Sequence, residues 1–289
     1  MTIPEAYLPK FKGNALTIPV LPCASQEAFN AHLAQEVPFI FEADLHALRE
    51  KAERAIHAID QDVEIRTYDS IPYREIRKGG FHAYLAYAAS TETECLYPEG
   101  FELVESREGN VSETHFRHYA LSLNETLFPA ISQFRVPFID ERNNYLLQLP
   151  APFFSQRSIT SPHWLFIHPA LSVSNAHYDH DSVHTAIVQL KGRKWACLIP
   201  PNQHHLIKNV DFPLLPNGFN DFTNPKLQAL PCEGLTPWEG DLNEGQILII
   251  PKNWVHFVVG KSSGISYSQD IVNATNFKEW MTSIIAPLV

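Results

Sequence analysis

Thr185-Ala186-Ile187-Val188-Gln189-Leu190-Lys191-Gly192-Arg193-Lys194-Trp195-Ala196-Cys197-Leu198-Ile199 contains two apolar, β-rich runs, Thr185–Leu190 and Trp195–Ile199, divided by Lys191-Gly192 in the manner of a two-residue hairpin turn. The same texture continues on both sides. Tyr145–Leu149, Trp164–His168 and Ala176–Asp179 precede it, and Gln246–Ile250, His256–Val259 and Ile265–Ile271 follow, with Pro, Gly and Asn between the runs. Many short strands with turn signals between them imply a sandwich or barrel. Residues 202–244, rich in Pro, Asn and Gly and too long for a turn, are expected to make an excursion over the barrel mouth.

The N-terminal half reads differently. Ser25-Gln26-Glu27 is a helix start with an acidic first turn, and Pro38–Phe41 is a strand candidate. Leu45, Leu48, Ala52, Ala55 and Ile56 recur at helical spacing. Further on, short β-type runs fill 63–110, a helix is predicted around Phe81–Ser90, an extended piece at Phe116–Ala120 and a helix over Leu123–Gln133. The last segment, 276–289, carries Phe277, Trp280, Met281, Ile284 and Ile285 as an amphipathic helix, which would pack on the same chain or on a second copy in a homodimer. The fold class is therefore mainly β with flanking helices, read as one domain of 289 residues: N-terminal buttress 1–140, β core 141–275 and C-terminal helix 276–289.

Net charge of −10 argues against general nucleic-acid binding, because neutralising phosphates needs a surplus of Lys and Arg. Cys23, Cys95, Cys197 and Cys232 are far apart and form no CxxC pair, which fits reduced thiols in a cytoplasmic protein. No basic-then-apolar leader and no run of about 18 apolar residues is present, so no export or membrane association is expected.

Chemistry concentrates at Ser174-Asn175-Ala176-His177-Tyr178-Asp179. On a strand, residues i and i+2 share a face, so His177 and Asp179 can grip one metal ion. His-x-Asp alone is weak evidence in a chain with 14 histidines, and a buried histidine in Pro251–Val259 is ordinarily core. If the two strands are neighbours, however, His256 completes a two-histidine, one-carboxylate set that leaves coordination positions open, as in non-haem Fe(II) oxygenases.

Leu165–Pro169, Ser174–Asp179, Val188–Lys194, Ile199–Pro201 and Gly245–Pro251 through Trp254 and His256 together resemble the JmjC-type, cupin-like (cupin_8) 2-oxoglutarate oxygenases, the group that includes the factor-inhibiting-HIF asparaginyl hydroxylases. The resemblance implies a double-stranded β-helix (jelly roll) core and an Fe(II) dioxygenase using 2-oxoglutarate and O2. His177, Asp179 and His256 would be the metal ligands and catalytic centre. Lys194 would anchor the distal carboxylate of 2-oxoglutarate, with Ser174 and Tyr145 as hydroxyl partners and Thr185 where many relatives carry an asparagine. His184, Trp254, Asp270 and Trp238 are substrate-pocket candidates. His180 and Asp181 stay outside the ligand set, and His204-His205 reads as a solvated pair. Against the common spacing, His177 to Lys194 is two residues longer.

The reaction implied is hydroxylation of a peptide or protein side chain. The rivals are a free amino acid or small metabolite as substrate, and, in another class, a non-oxygenase metal-binding cupin.

Overall fold

The computed structural model describes residues 14–23, 25–66, 75–90, 97–106, 121–123, 128–149, 162–207 and 234–285. Their strands are β1 (Leu16–Thr17), β2 (Phe39–Glu42), β3 (Asp62–Arg66), β4 (Glu75–Gly80), β5 (Glu102–Ser106), β6 (Leu121–Leu123), β7 (His163–His168), β8 (Val173–His177), β9 (His184–Lys191), β10 (Lys194–Ile199), β11 (Trp238–Leu242), β12 (Gln246–Ile250), β13 (Val255–Gly260) and β14 (Gly264–Ile271). The helices are α1 (Gln26–Leu33), α2 (His46–His57), α3 (Phe81–Ala89), the short α4 (His204–Ile207) and α5 (Phe277–Ile285).

One sheet has the order β1-β11-β10-β13-β8, a second β2-β12-β9-β14-β7-β6, and a third β3-β4-β5. From β7 to β10 and again from β11 to β14 the chain passes between the first two sheets, which is the winding of a jelly roll. The N-terminal segment does more than buttress this core. β2 lengthens the larger sheet by pairing with β12, and β1 pairs with β11 in the smaller one.

Alternation along each strand separates two interiors. Leu165, Ile167, Ala186, Val188, Leu190, Ile247, Ile249, Tyr267 and Ile271 pack outward against α1, α2 and α3 in the largest apolar cluster. Ile187, Ala196, Leu198, Leu248, Ile250, Trp254 and Val258 fill the space between the sheets with Ile18 and Ile40. The helices are placed by the same logic. Ser25 caps α1 by accepting from the Ala28 amide at 3.3 Å, and α2 buries Leu48, Ala52 and Ile56 at four-residue steps.

Four expectations change. Lys191-Gly192 is not a hairpin turn: β9 lies in the larger sheet and β10 in the smaller, so the link is a corner between sheets. Gly192 has φ +78°, and a Cβ there would sit 2.1 Å from the Ser263 carbonyl oxygen. Tyr145–Gln148 is a 3-10 helix rather than a strand, because the Asn144 side chain caps it by accepting from the Leu146 amide at 3.2 Å. Of the helix expected over Leu123–Gln133, Leu123 ends β6 and Pro129–Gln133 forms a 3-10 turn, while 124–127 lie outside the described residues. The excursion expected over 202–244 contains β11, a full member of the smaller sheet, and 208–233 lie outside the described residues.

The expected strand at Phe116–Ala120 also lies outside the described residues. Cys23 and Cys197 are free thiols, and no described helix is long and apolar enough to cross a membrane. α5 buries Trp280 and leaves Phe277 41% exposed.

Candidate metal centre

β13 pairs with β8 so that His256 lies directly opposite His177. β8 ends at His177, but the backbone stays extended through Asp179 (φ −69°, ψ 140°), which preserves the two-residue alternation. The outcome is a cluster: His177 Nε2 lies 3.8 Å and His256 Nε2 3.9 Å from Asp179 Oδ1, and the imidazole centroids are 4.1 Å apart. Ligating atoms of the three residues all fall within 4.8 Å of one another.

Their surroundings prepare the lone pairs. Burial first, and then the neighbouring His177, push the His256 pKa down to about 4, so the ring is neutral. Its Nδ1 lies 3.2 Å from the Trp254 carbonyl oxygen. A neutral ring donating there leaves Nε2 unprotonated and turned toward the cluster. The Thr185 hydroxyl donates to Asp179 Oδ2 in a short hydrogen bond, which holds the carboxylate with Oδ1 on the side of the two imidazoles. Two donors each ~2.1 Å from one ion stand at most ~4.2 Å apart, and the two histidine–aspartate separations fall under that limit. His177 and Asp179 side chains are 40% and 28% exposed, whereas His256 is 6% exposed, so the cluster opens on the β8 side.

Between His177 and Lys194 lies a 3-10 turn, His180–Ser182, in which Asp181 and Ser182 both take positive φ (63° and 53°). Asp181 is thereby close enough to act electrostatically on Asp270. Burial first, then Asp179 and Asp181, push the Asp270 carboxyl pKa well up, while a side-chain hydrogen bond with Thr185 opposes them.

Lys194 lies further along the same interior. On β10, Leu198 is opposite His256 and Lys194 opposite Gly260. Four residues at ~3.3 Å each put the lysine backbone about 13 Å along the strand from the histidine's partner. Lys194 is only 8% exposed, and its Nζ sits 5.5 Å from the Phe166 ring centroid. Burial alone draws its pKa down to about 7. Among the described residues it forms no ion pair, and its buried neighbour His168 has its own pKa lowered by burial and then by Lys194. Nearby, Ser266 donates to Gln189 Oε1 at 2.8 Å, making a polar patch within the sheets.

The remaining candidates disperse. Ser174 pairs with Val258 on the His256 side of β13 and is exposed. The Tyr145 ring makes an edge contact with Phe277 of α5, centroids 5.5 Å apart. Trp254 packs edge-on against Trp238 at 5.9 Å and donates Nε1–H to the Glu36 carbonyl at 3.1 Å, inside the apolar cluster. His184 is fully buried, with both ring nitrogens bonded. His204 is not a solvated residue: its ring stacks on Tyr178 at 6.0 Å, and only His205 is exposed. Sequence reasoning missed Phe166 beneath the lysine and Thr185 as the clamp on Asp179, both of which depend on contacts between strands.

Residues 25–277 match the family model described as a cupin-like domain, a family of JmjC-type domains, and the chain belongs to that family. No curated protein matches the chain.

Proposed function

From this family membership and the geometry of the cluster, we propose that the protein is an Fe(II)- and 2-oxoglutarate-dependent dioxygenase that hydroxylates a C–H bond of a peptide or protein side chain. The observation that carries the reading is Lys194, a buried ammonium without an anion among the described residues, on the same barrel interior as the His177–Asp179–His256 cluster. A non-oxygenase metal-binding cupin has no need of such a cation. A dicarboxylate that meets the metal with one end supplies the anion with the other, which offsets the cost of burying the lysine.

In this reading His177, Asp179 and His256 hold Fe(II), and Lys194 holds the distal carboxylate of 2-oxoglutarate. With both bound, the centre supplies the activation of O2, and the balance is R–H + O2 + 2-oxoglutarate giving R–OH + succinate + CO2. Thr185 fixes the Asp179 carboxylate, and the Trp254 carbonyl fixes the His256 tautomer, so the ligands need little reorganisation. Three ligands on one face leave room for cosubstrate and O2 together. Exposure of His177 and Ser174 on the β8 side favours a substrate presented from outside, as a side chain of a larger chain would be.

Anaerobic addition of Fe(II) and 2-oxoglutarate to the protein should produce the weak visible band of the metal–oxo-acid chelate. Folded protein that gives no band would defeat the proposal. Mass spectrometry of a cell extract incubated with the enzyme, Fe(II) and 2-oxoglutarate would identify the substrate by a gain of one oxygen. If the gain appears on free amino acids instead of peptides, the protein-substrate assignment is wrong.

A further inference from the structure

The geometry points to His184 as a positioning residue that links the two arms of the metal site to each other and to the C-terminal segment. The inference rests on the metal site proposed above. His184 is fully buried at the start of β9, immediately before Thr185, the residue that holds Asp179. Its Nδ1 lies 3.1 Å from the Lys252 backbone nitrogen, in the turn that leads into β13 and His256. Its Nε2 lies 2.9 Å from Thr275 Oγ1.

These partners determine the tautomer. A backbone N–H can only donate, so Nδ1 accepts and Nε2 carries the proton. Thr275 is free to accept it because its own hydroxyl donates to Asn273 Oδ1 at 2.7 Å. Burial first, and then the nearby Lys252 charge, hold the ring neutral by pushing its pKa down to about 3, in keeping with one donor and one acceptor nitrogen.

The C-terminal segment grips the same region at a second point. Asn276, 1% exposed, donates from Nδ2 to the Ser182 carbonyl at 2.9 Å and to the Ile271 carbonyl at 3.0 Å, while its Oδ1 accepts from the Asn273 amide at 2.8 Å. Ser182 ends the turn that follows Asp179. Asp179 is thus held through Thr185 and the 180–182 turn, and His256 through the Lys252 turn, with His184 at their junction. If this linkage is broken, the two arms lose their common reference, and the ligand set loosens without any ligand being removed.

Two conservative variants separate this role from simple packing. His184→Asn keeps an acceptor near the Nδ1 position, whereas His184→Gln keeps a donor near the Nε2 position and loses the acceptor for Lys252. Each full-length protein would be freed of metal and titrated with Co(II) against a chromophoric chelator. Its thermal midpoint without metal and its Co(II) ligand-field bands at saturation would also be recorded. H184Q should bind Co(II) about tenfold more weakly with shifted bands, and H184N, which loses only the Thr275 partner, about threefold more weakly. Equal affinity and unchanged bands in both variants overturn the inference.

Wild-type protein that binds no Co(II) overturns the metal reading itself, which is a different result. Should H184Q fail to fold, Thr275→Val takes its place, since it keeps the ring and its bond from Lys252 and removes the partner on the C-terminal segment. A loss of about threefold or more supports the linkage, and unchanged affinity with unchanged bands overturns it.

Discussion

Lys194 and Lys252 are both largely buried lysines, yet their surroundings differ completely. Lys252 Nζ reaches Glu279 of α5 at 2.7 Å and Glu36 at 3.0 Å, tying the C-terminal helix and the segment after α1 to the turn before β13. Burial pulls its pKa down, but its hydrogen bonds to Glu279 and Glu36 outweigh this and raise it. Among the described residues Lys194 lies beside the Phe166 ring and near His168 and forms no ion pair, and burial draws its pKa down to about 7. One region has enclosed its charge with partners from its own chain; the other shows none among the described residues, and the proposed function supplies its anion from outside. A buried cation with no internal partner is costly in the folded state, so it marks a ligand site more clearly than its residue type does.

The largest expected effect is at Lys194. Lys194→Met should weaken 2-oxoglutarate binding by about 100-fold or more. It should also raise the thermal stability of the cosubstrate-free protein, because an apolar side chain replaces a buried ammonium. A variant that binds 2-oxoglutarate normally would erase the contrast between the lysines.

The pH dependence is the next largest effect. With its free pKa near 7, Lys194 must take up a proton to meet a carboxylate, so affinity for 2-oxoglutarate should fall as pH rises above 7. The limit is about tenfold per unit, read by calorimetry in two buffers of different ionisation enthalpy. K194M should lose this slope.

Stability without ligand should move the other way. Between about pH 7 and 10.5 the unfolded chain holds more protons on this group than the folded one, so Lys194 makes the folded state more stable as pH rises through that window. Denaturant titrations of wild type and K194M across the window would show it as a slope present only in wild type. Lys252, with its raised pKa, adds nothing there: its stabilisation is present below 10.5 and is lost only above that value.

The smallest effect is expected at Lys252 itself. Both glutamate partners are well exposed, 41% and 50%, so Lys252→Met should cost only about 1 kcal/mol of stability and leave 2-oxoglutarate affinity nearly unchanged. If K252M instead abolished cosubstrate binding, the division between structural and ligand-binding lysine would fail.

Gln246–Ile250 was readable as a strand because five consecutive apolar or β-tolerant residues sit between turn signals, and its observed limits are the same. β11 was not, since Trp238-Glu239-Gly240-Asp241-Leu242 lacks an apolar run. Its Gly240 is suited to the position because an added Cβ would come within 3.2 Å of Ile18 Cβ, a neighbour far away in the chain. Lys191-Gly192 was recognisable as a turn, but the local chemistry of a turn does not say whether the flanking strands pair with each other or enter different sheets. At the site, His177 and Asp179 were legible from their spacing. Thr185 as the Asp179 clamp and His184 as a buried junction were not, because hydrogen-bond partners are chosen by packing.

The sequence by itself determined the β character of the C-terminal half, the His-x-Asp pair and a third histidine in another β-like run, since these follow from local composition and a two-residue repeat. Tertiary structure alone decided that His256 stands opposite His177, that Lys194 is buried without an anion among the described residues, and that β9 and β10 lie in opposite sheets. Those outcomes depend on strand register and on which surfaces exclude water, quantities that arise only when segments far apart in the chain are packed together.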